Sequence, residues 1–363
     1  MRPGTPALRR ALAAGSALAL VALAGCAQDP NGQQSILNPQ GERAQSVHGL
    51  WLLMLGLGTL VWLIVTTVLV IAIVKRRRRA AKGEGADLDA LGDEPAKPEP
   101  RSERRSFWVV AASGAIVPAL VLGALTFVSA SVLADTDPEQ DTDGPLIEVI
   151  AHQYWWEVTY PELGVTTANE IHIPTGSRVR VELTSEDVIH SFWVPELGGK
   201  MDAVPGTTNA LWLAADDPGT YWGQCAEYCG ADHALMRMLV IAHDQEEFEG
   251  WAQRQSLPAA PEDIGLAEPE DPDVERGREI FMSSSCVYCH TIEGTAALGD
   301  VGPDLTHLAS RRTIAAGILP NERGQLAGWI LDPQSIKPGN LMPGTDLDGV
   351  ELQQLLDYLE SLE

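Results

Sequence analysis

Two long apolar runs dominate the first third of the chain. Leu50 to Val74 and Phe107 to Leu133 each exceed the ~20 residues that a ~30 Å hydrocarbon core requires. Trp51, Trp62, Phe107 and Trp108 lie at or near their ends, partly as an interfacial aromatic belt would have them. From Leu146 to about Ile241 the pattern changes. "LIEVIAHQYWWEVTY", "NEIHIPTG" and "RVRVELTS" alternate apolar with polar at period two, and Pro, Gly and Asn clusters punctuate them, which predicts a Greek-key β-sandwich or barrel. Residues 243–256 read as a short helix. "SLPAAPEDIGLAEPEDPD" is a linker, and the pattern beyond it is helical. "VERGREIFMSSSC" opens this last segment, and "GVELQQLLDYLESL" closes it with Leu352, Leu355, Leu356 and Leu359 on one face. The fold class predicted is a multi-domain membrane protein with a two-helix transmembrane hairpin, a β-sandwich and a small all-α domain.

Charge orients this pattern. The loop between the spans opens with "KRRRRAAK" and closes with "RSERR", so the positive-inside rule makes residues 75–105 cytoplasmic and puts both chain ends outside. An outside amino terminus agrees with "MRPGTPALRRALAAGSALALVALAGC", which has an arginine-bearing start, an apolar stretch and small residues before a cysteine. "LAGC" resembles a bacterial lipoprotein signal, in which Cys26 becomes the lipidated first residue; plain signal cleavage nearby is the competing reading. The formal charge of −25 is uneven, with 14 Lys/Arg against 9 Asp/Glu up to Ala134 and 11 against 41 beyond it. So acidic an outer part argues against nucleic acid, whose phosphates it repels.

Five cysteines remain to be placed: Cys26, Cys225 with Cys229, and Cys286 with Cys289. An exported chain oxidises close cysteines by default, so a Cys225–Cys229 disulfide is one reading of "GQCAEYCGADHALM". Soft thiolates beside His233 and Met236, with His190 upstream in "DVIHSFWVP", favour a metal instead. Two Cys and two His would suit zinc, while the added thioether points to copper.

"HSFWVPELGGKMDAVPG" followed by "GQCAEYCGADHALM" resembles the binuclear copper A centre of cytochrome c oxidase subunit II. The resemblance implies a cupredoxin-like sandwich in which Cys225 and Cys229 bridge two copper ions. His190 and His233 are then the terminal ligands, with Met236 and the carbonyl of Glu227 as weak axial ones. It also implies that the Glu227 carboxylate meets a magnesium ion at the border with subunit I. "HQYWWEVTY" departs from the family's usual His-Gln-Trp-Tyr-Trp, so either Tyr154 or Trp155 stands where electrons would come in, against a reading as buried aromatic packing.

"SSSCVYCHTIEG" contains Cys-x-x-Cys-His, the pattern of covalent c-type haem attachment, with Cys286 and Cys289 as thioethers and His290 as the iron's proximal ligand. A distal methionine is expected downstream. Met282 is too near Cys286 to reach the opposite haem face, whereas Met342 sits in the rigid loop "IKPGNLMPG"; His307 is the alternative. "VGPDLTHLASRRTIAAGILPN" resembles the class I cytochrome c domain fused to caa3-type oxidases, which implies that Pro303 supports His290.

The resulting expectation covers nearly the whole chain. Residues 1–25 form a lipoprotein signal peptide, 26–47 an extracytoplasmic tether, and 48–134 the transmembrane hairpin. Residues 143–245 form the copper A domain, 246–272 a linker and 273–363 the cytochrome c domain. By the resemblance the protein is the electron-input subunit of a caa3-type cytochrome c oxidase in a bacterial inner membrane. Electrons pass from a donor cytochrome or bc complex through haem c and copper A to haem a of subunit I, where oxygen is reduced and protons are moved; subunit III completes the complex. A membrane-anchored copper and haem carrier outside any oxidase is the alternative.

Overall fold

The computed structural model describes residues 34–82, 100–137, 142–257 and 271–363. Cys26 and the signal segment lie outside the described residues, as do most of the basic loop and the centre of the acidic linker. The chain divides into two units, one made of residues 45–140 and the other of the remainder.

The first unit is two helices long and apolar enough to cross a membrane. Helix α1 spans Glu42–Ala81. The second runs from α2 (Pro100–Ala111) through a π turn (Ala112–Ile116) into α3 (Val117–Asp135). The turn widens just before Pro118, whose ring has no N–H to give the helical ladder. Ser113, Thr126 and Ser131 return their hydroxyls to carbonyls one turn back, at 2.7, 2.8 and 3.2 Å, so these polar groups need no water. Apolar side chains cover both helices all round, the signature of a lipid-facing surface.

The second unit begins with a ten-strand sandwich. One sheet has the order β3 (Val165–Ala168), β2 (Trp155–Tyr160), β1 (Ile147–His152), β5 (Val179–Ser185), β8 (Asn209–Leu213). The other has β4 (Glu170–Pro174), β10 (Arg237–His243), β9 (Gly219–Cys225), β6 (His190–Trp193), β7 (Met201–Ala203). Alternation is clean in β5, where Val179, Val181 and Leu183 point inward and are fully buried. Each such side chain withdrawn from water stabilises the fold by about 1.5–3 kcal/mol. The Tyr160 hydroxyl ties the sheets together, donating to the His172 carbonyl at 2.9 Å and accepting from the His172 N–H at 2.7 Å.

The helix read over residues 243–256 is present, and the start of the linker shifts to follow it. Residues 246–255 are not linker: α4 (Gln245–Gln255), capped by the Asp244 carboxylate, buries Phe248, Trp251 and Ala252 in the sandwich core. Trp251 stacks on His172 at 4.1 Å, and His172 Nδ1 lies 2.8 Å from His243 Nε2, so these histidines serve packing. The described end of the tether is bonded to the sandwich. Gln40 N–H donates to the Glu196 carbonyl at 2.7 Å, Asp216 N–H returns to Gln40 at 3.0 Å, and Arg178 pairs with Glu42.

The C-terminal domain is helical, with α5 (Pro272–Ser283), α6 (Arg323–Leu331), α7 (Pro333–Ile336) and α8 (Gly349–Glu360). All four leucines predicted on the inner face of α8 are buried against Phe281 and Ile330. Gly277 lets α5 and α8 cross, since a Cβ there would fall 1.9 Å from the Gln354 carbonyl oxygen. One feature departs from all-α: a hairpin of two-residue strands, β11 (Thr313–Ile314) and β12 (Leu319–Pro320).

Candidate metal centre and haem cavity

The loop after β9 folds back on itself, so that Cys225 at the strand end and Cys229 beyond the turn face each other with sulfurs 3.8 Å apart and no bond between them. Both are buried. Each thiol has its own imidazole: His190 Nδ1 lies 3.9 Å from Cys225 Sγ, and His233 Nδ1 lies 3.8 Å from Cys229 Sγ. His190 arrives on β6, which pairs with β9; His233 sits on a short 3-10 turn. Met236 Sδ is 3.9 Å from Cys229 Sγ, and the Glu227 carbonyl is 3.2 Å from Cys225 Sγ. Every residue predicted for the copper pair therefore meets in one place. The donor set fits two soft ions sharing two thiolates, each ion with one nitrogen.

The hydrogen bond to Cys225, and then burial, push the Cys229 thiol up, so Cys229 keeps its proton and Cys225 is the thiolate of the pair. The Cys225 thiol is pushed down to about 3, first by the hydrogen bond from Cys229 and then by His190. Burial works against a charged His190, yet its hydrogen bonds to Cys225 and Asp187 prevail and raise its pKa. Asp187 Oδ1 accepts from His190 Nε2–H at 2.8 Å, which leaves the Nδ1 lone pair, on the side of the sulfurs, free to ligate. The sequence carried a signal for this partner, a carboxylate three positions ahead of the histidine. The exposed Glu227 side chain borders a surface hollow that Asp202 also lines.

Cys286 and Cys289 stand on a 3-10 turn (Ser285–Tyr288) that the Ser284 hydroxyl caps. They open onto a largely apolar cavity of about 370 Å³, walled also by His290, Gly302, Pro303 and Met342. His290 Nδ1 donates to the Pro303 carbonyl at 2.7 Å, so Nε2 is the nitrogen free to ligate. Burial lowers the His290 pKa, against the pull of that carbonyl, and keeps the ring neutral as a ligand must be. Gly302 lies flat against the imidazole, where a Cβ would come within 2.7 Å of Cε1. Met342 is on the cavity wall, its N–H fixed by Asn340 Oδ1 at 2.8 Å. His307 is elsewhere, buried with Nδ1 bonded to the Glu363 carbonyl, and it does not line the cavity.

The remaining wall comes from the sandwich. Gln153, Tyr154 and Trp155 all line the haem cavity. The first two also reach the metal loop, for Gln153 Nε2 donates to the Cys229 carbonyl at 2.6 Å and Ala231 N–H donates to the Tyr154 hydroxyl at 3.0 Å. Trp155 instead stacks on His152 at 4.4 Å. Sequence reasoning named the aromatics but missed Gln153, whose partner Cys229 is 76 positions away in the same sandwich, and Lys337, whose Nζ donates to the Tyr154 carbonyl of the other domain.

A chain with a thiolate–imidazole cage and a haem cavity in one folded unit, anchored by apolar helices, has the parts of an electron relay. The profile of the cytochrome c oxidase subunit II periplasmic domain matches residues 163–243, and that of cytochrome c matches residues 274–363. Cytochrome c oxidase subunit 2 of Alkalihalophilus pseudofirmus is 35% identical over 344 residues, covering 94% of this chain and 94% of the relative. Its counterpart in Bacillus sp. strain PS3 is 36% identical over 249 residues, covering 66% of this chain and 68% of the relative. The periplasmic domain of subunit II of cytochrome oxidase from Bradyrhizobium japonicum is 31% identical, covers 32% of this chain and 94% of that structure, and superposes with a TM-score of 0.31. The chain belongs to the cytochrome c oxidase subunit 2 family, in the form that carries a cytochrome c domain of its own. It is membrane-anchored and transfers electrons into a haem–copper oxidase; its two matched domains are those that hold copper A and haem c.

Proposed function

We propose that residues 143–245 hold two copper ions between Cys225 and Cys229, with His190, His233, Met236 and the Glu227 carbonyl completing the cage. The observation that supports this reading is the pairing of each buried sulfur with one Nδ1 across an unbonded gap of 3.8 Å. The cytochrome domain, residues 273–363, would carry one haem, attached covalently through Cys286 and Cys289, with His290 and Met342, both on the cavity wall, as its iron ligands. Bound there, the two cofactors supply one-electron chemistry at ligand sets that need little rearrangement.

The protein's own residues do the rest. Asp187 and the Pro303 carbonyl each fix one imidazole by its outer nitrogen, and the apolar wall excludes water from the haem. Tyr154, rather than Trp155, is the better input residue, because it touches both the haem cavity and the copper loop. The Glu227 carboxylate, exposed beside Asp202, suits a magnesium ion at the border with subunit I. Subunits I and III, a donor cytochrome or bc complex, a bacterial inner membrane with both outer domains on the extracytoplasmic face, and lipidation of Cys26 complete this reading.

Cys229→Ser tests it. The variant is expected to lose its copper, and with it the visible and near-infrared absorption of the pair, while retaining haem c. A variant that keeps two coppers per chain overturns the ligand set.

A further inference from the structure

The β11–β12 hairpin reaches out of the cytochrome domain into the copper domain. Its tip holds three consecutive residues at positive φ: Ala315 (54°), Ala316 (57°) and Gly317 (74°). For an alanine that conformation costs on the order of 1–2 kcal/mol, and it persists only where the surroundings over-determine it. Here the surroundings are the sandwich. Ala316 is 2% exposed and clusters with Trp155 and Ala168, and its carbonyl accepts the Arg237 N–H at 3.1 Å. Gly317 lies so close that a Cβ would meet the Cβ of Arg237 at 3.1 Å.

The base of the hairpin is held by a single carboxylate. Glu170, at the start of β4 and 1% exposed, accepts at Oε1 from Arg312 N–H (2.9 Å), Thr313 N–H (2.8 Å) and the Thr313 hydroxyl (2.9 Å). All three donors belong to the cytochrome domain. A buried acid satisfied wholly by the neighbouring domain has no role in its own sheet that an apolar residue would not fill better. The same hairpin residues, Thr313 to Ala316, also wall the haem cavity beside Trp155. On the cavity's other flank Lys337 Nζ donates to the Tyr154 carbonyl at 2.8 Å.

We propose that the 313–320 hairpin is a docking plug, and that Glu170 is the positioning residue that seats it and so fixes the haem cavity against Tyr154 in one electron-transferring geometry. This rests on the relay reading above. A tether alone raises the effective concentration of the cytochrome domain without orienting it; the plug supplies the orientation.

The test uses the assembled oxidase carrying Glu170→Ala on one domain or Gly317→Val on the other, with Glu162→Gln, on an exposed turn of the sandwich, as control. Glu170→Ala leaves three donors without their acceptor, so amide hydrogen exchange across 312–317 should rise about tenfold. Haem-to-copper transfer after rapid haem reduction should slow at least about tenfold, the loss expected when a reacting pair is held out of register. Copper and haem spectra, and the rate at which a small reductant reduces the haem, should not change. Glu162→Gln, which lies outside both the hairpin and the haem cavity, should keep wild-type exchange and transfer. Unchanged exchange in both disruptive variants, or raised exchange with unslowed transfer, overturns the plug. A wild-type protein without copper or haem would overturn the relay reading instead, so the two failures are separable. If Glu170→Ala does not accumulate, Gly317→Val decides alone.

Discussion

A methyl group added at Gly302 puts a number on how tightly His290, the proposed haem ligand, is held. In Gly302→Ala the new carbon would sit 2.7 Å from His290 Cε1, 3.0 Å from Nδ1 and 3.2 Å from Nε2, directly over the ring. Ordinary contact asks for at least 3.4 Å, so something must yield by about 0.7 Å. The loop is a poor candidate, because Gly302 N–H is bonded to the Cys289 carbonyl at 2.7 Å and the Pro303 carbonyl to His290 at 2.7 Å. The ring is left to move, and it gives up its hydrogen bond as it does. Overpacking costs about 1–3 kcal/mol and the lost bond about 0.5–1.5 kcal/mol, together about 2–4 kcal/mol. For a domain of this size that is roughly 10–20 °C of melting temperature. Thermal unfolding of the purified protein, followed by haem absorption, measures it. The haem potential should change as well, since Nδ1 no longer has a carbonyl partner. A melting temperature within about 2 °C of wild type, together with an unchanged potential, would show that the glycine is not packed on the ligand.

Two further outcomes follow from the same geometry. Met342→Ala should lower the haem potential and leave copper binding intact; an unchanged potential would remove Met342 from the iron and return attention to His307. Burial pushes the Lys337 ammonium down to about 8, against the attraction of Asp232 and Cys229. The unfolded chain holds that proton up to about 10.4, so the folded protein binds fewer protons between these values and gains stability as pH rises through the window. Denaturation midpoints of wild type and Lys337→Met across pH 7.5 to 10.5 should therefore converge in slope below and above it and differ within it; parallel profiles throughout would refute the assignment.

Features that depend on local pattern were legible in the sequence. The two spans are compositional, the copper loop packs four side-chain donors into twelve residues, and Cys-x-x-Cys-His is contiguous. What escaped depends on folding distant segments together. Glu170 and Arg312 are 142 positions apart, and nothing near either one marks the pair. Gln153 reads as an ordinary polar strand end until Cys229 is placed beside it. The helix over 243–256 was legible, but its spacing did not say which domain it packs on, and Phe248 and Trp251 assign it to the sandwich rather than to the linker. His307 was a rival to Met342 only because sequence gives no direction to a side chain; in the fold it is turned to the carboxyl-terminal residue.

The haem cavity has walls from two domains: Cys286, Cys289 and His290 on one side, Tyr154 and Trp155 on the other. A pocket shared in this way is finished only when its halves meet, which gives maturation an order. Were a haem to be joined to Cys286 and Cys289, the cytochrome domain alone would offer it an open side, which the sandwich would then cover. With nothing in the cavity, Tyr154 and Trp155 would face an unfilled hollow, so the joint between the domains would be held less tightly until it is filled.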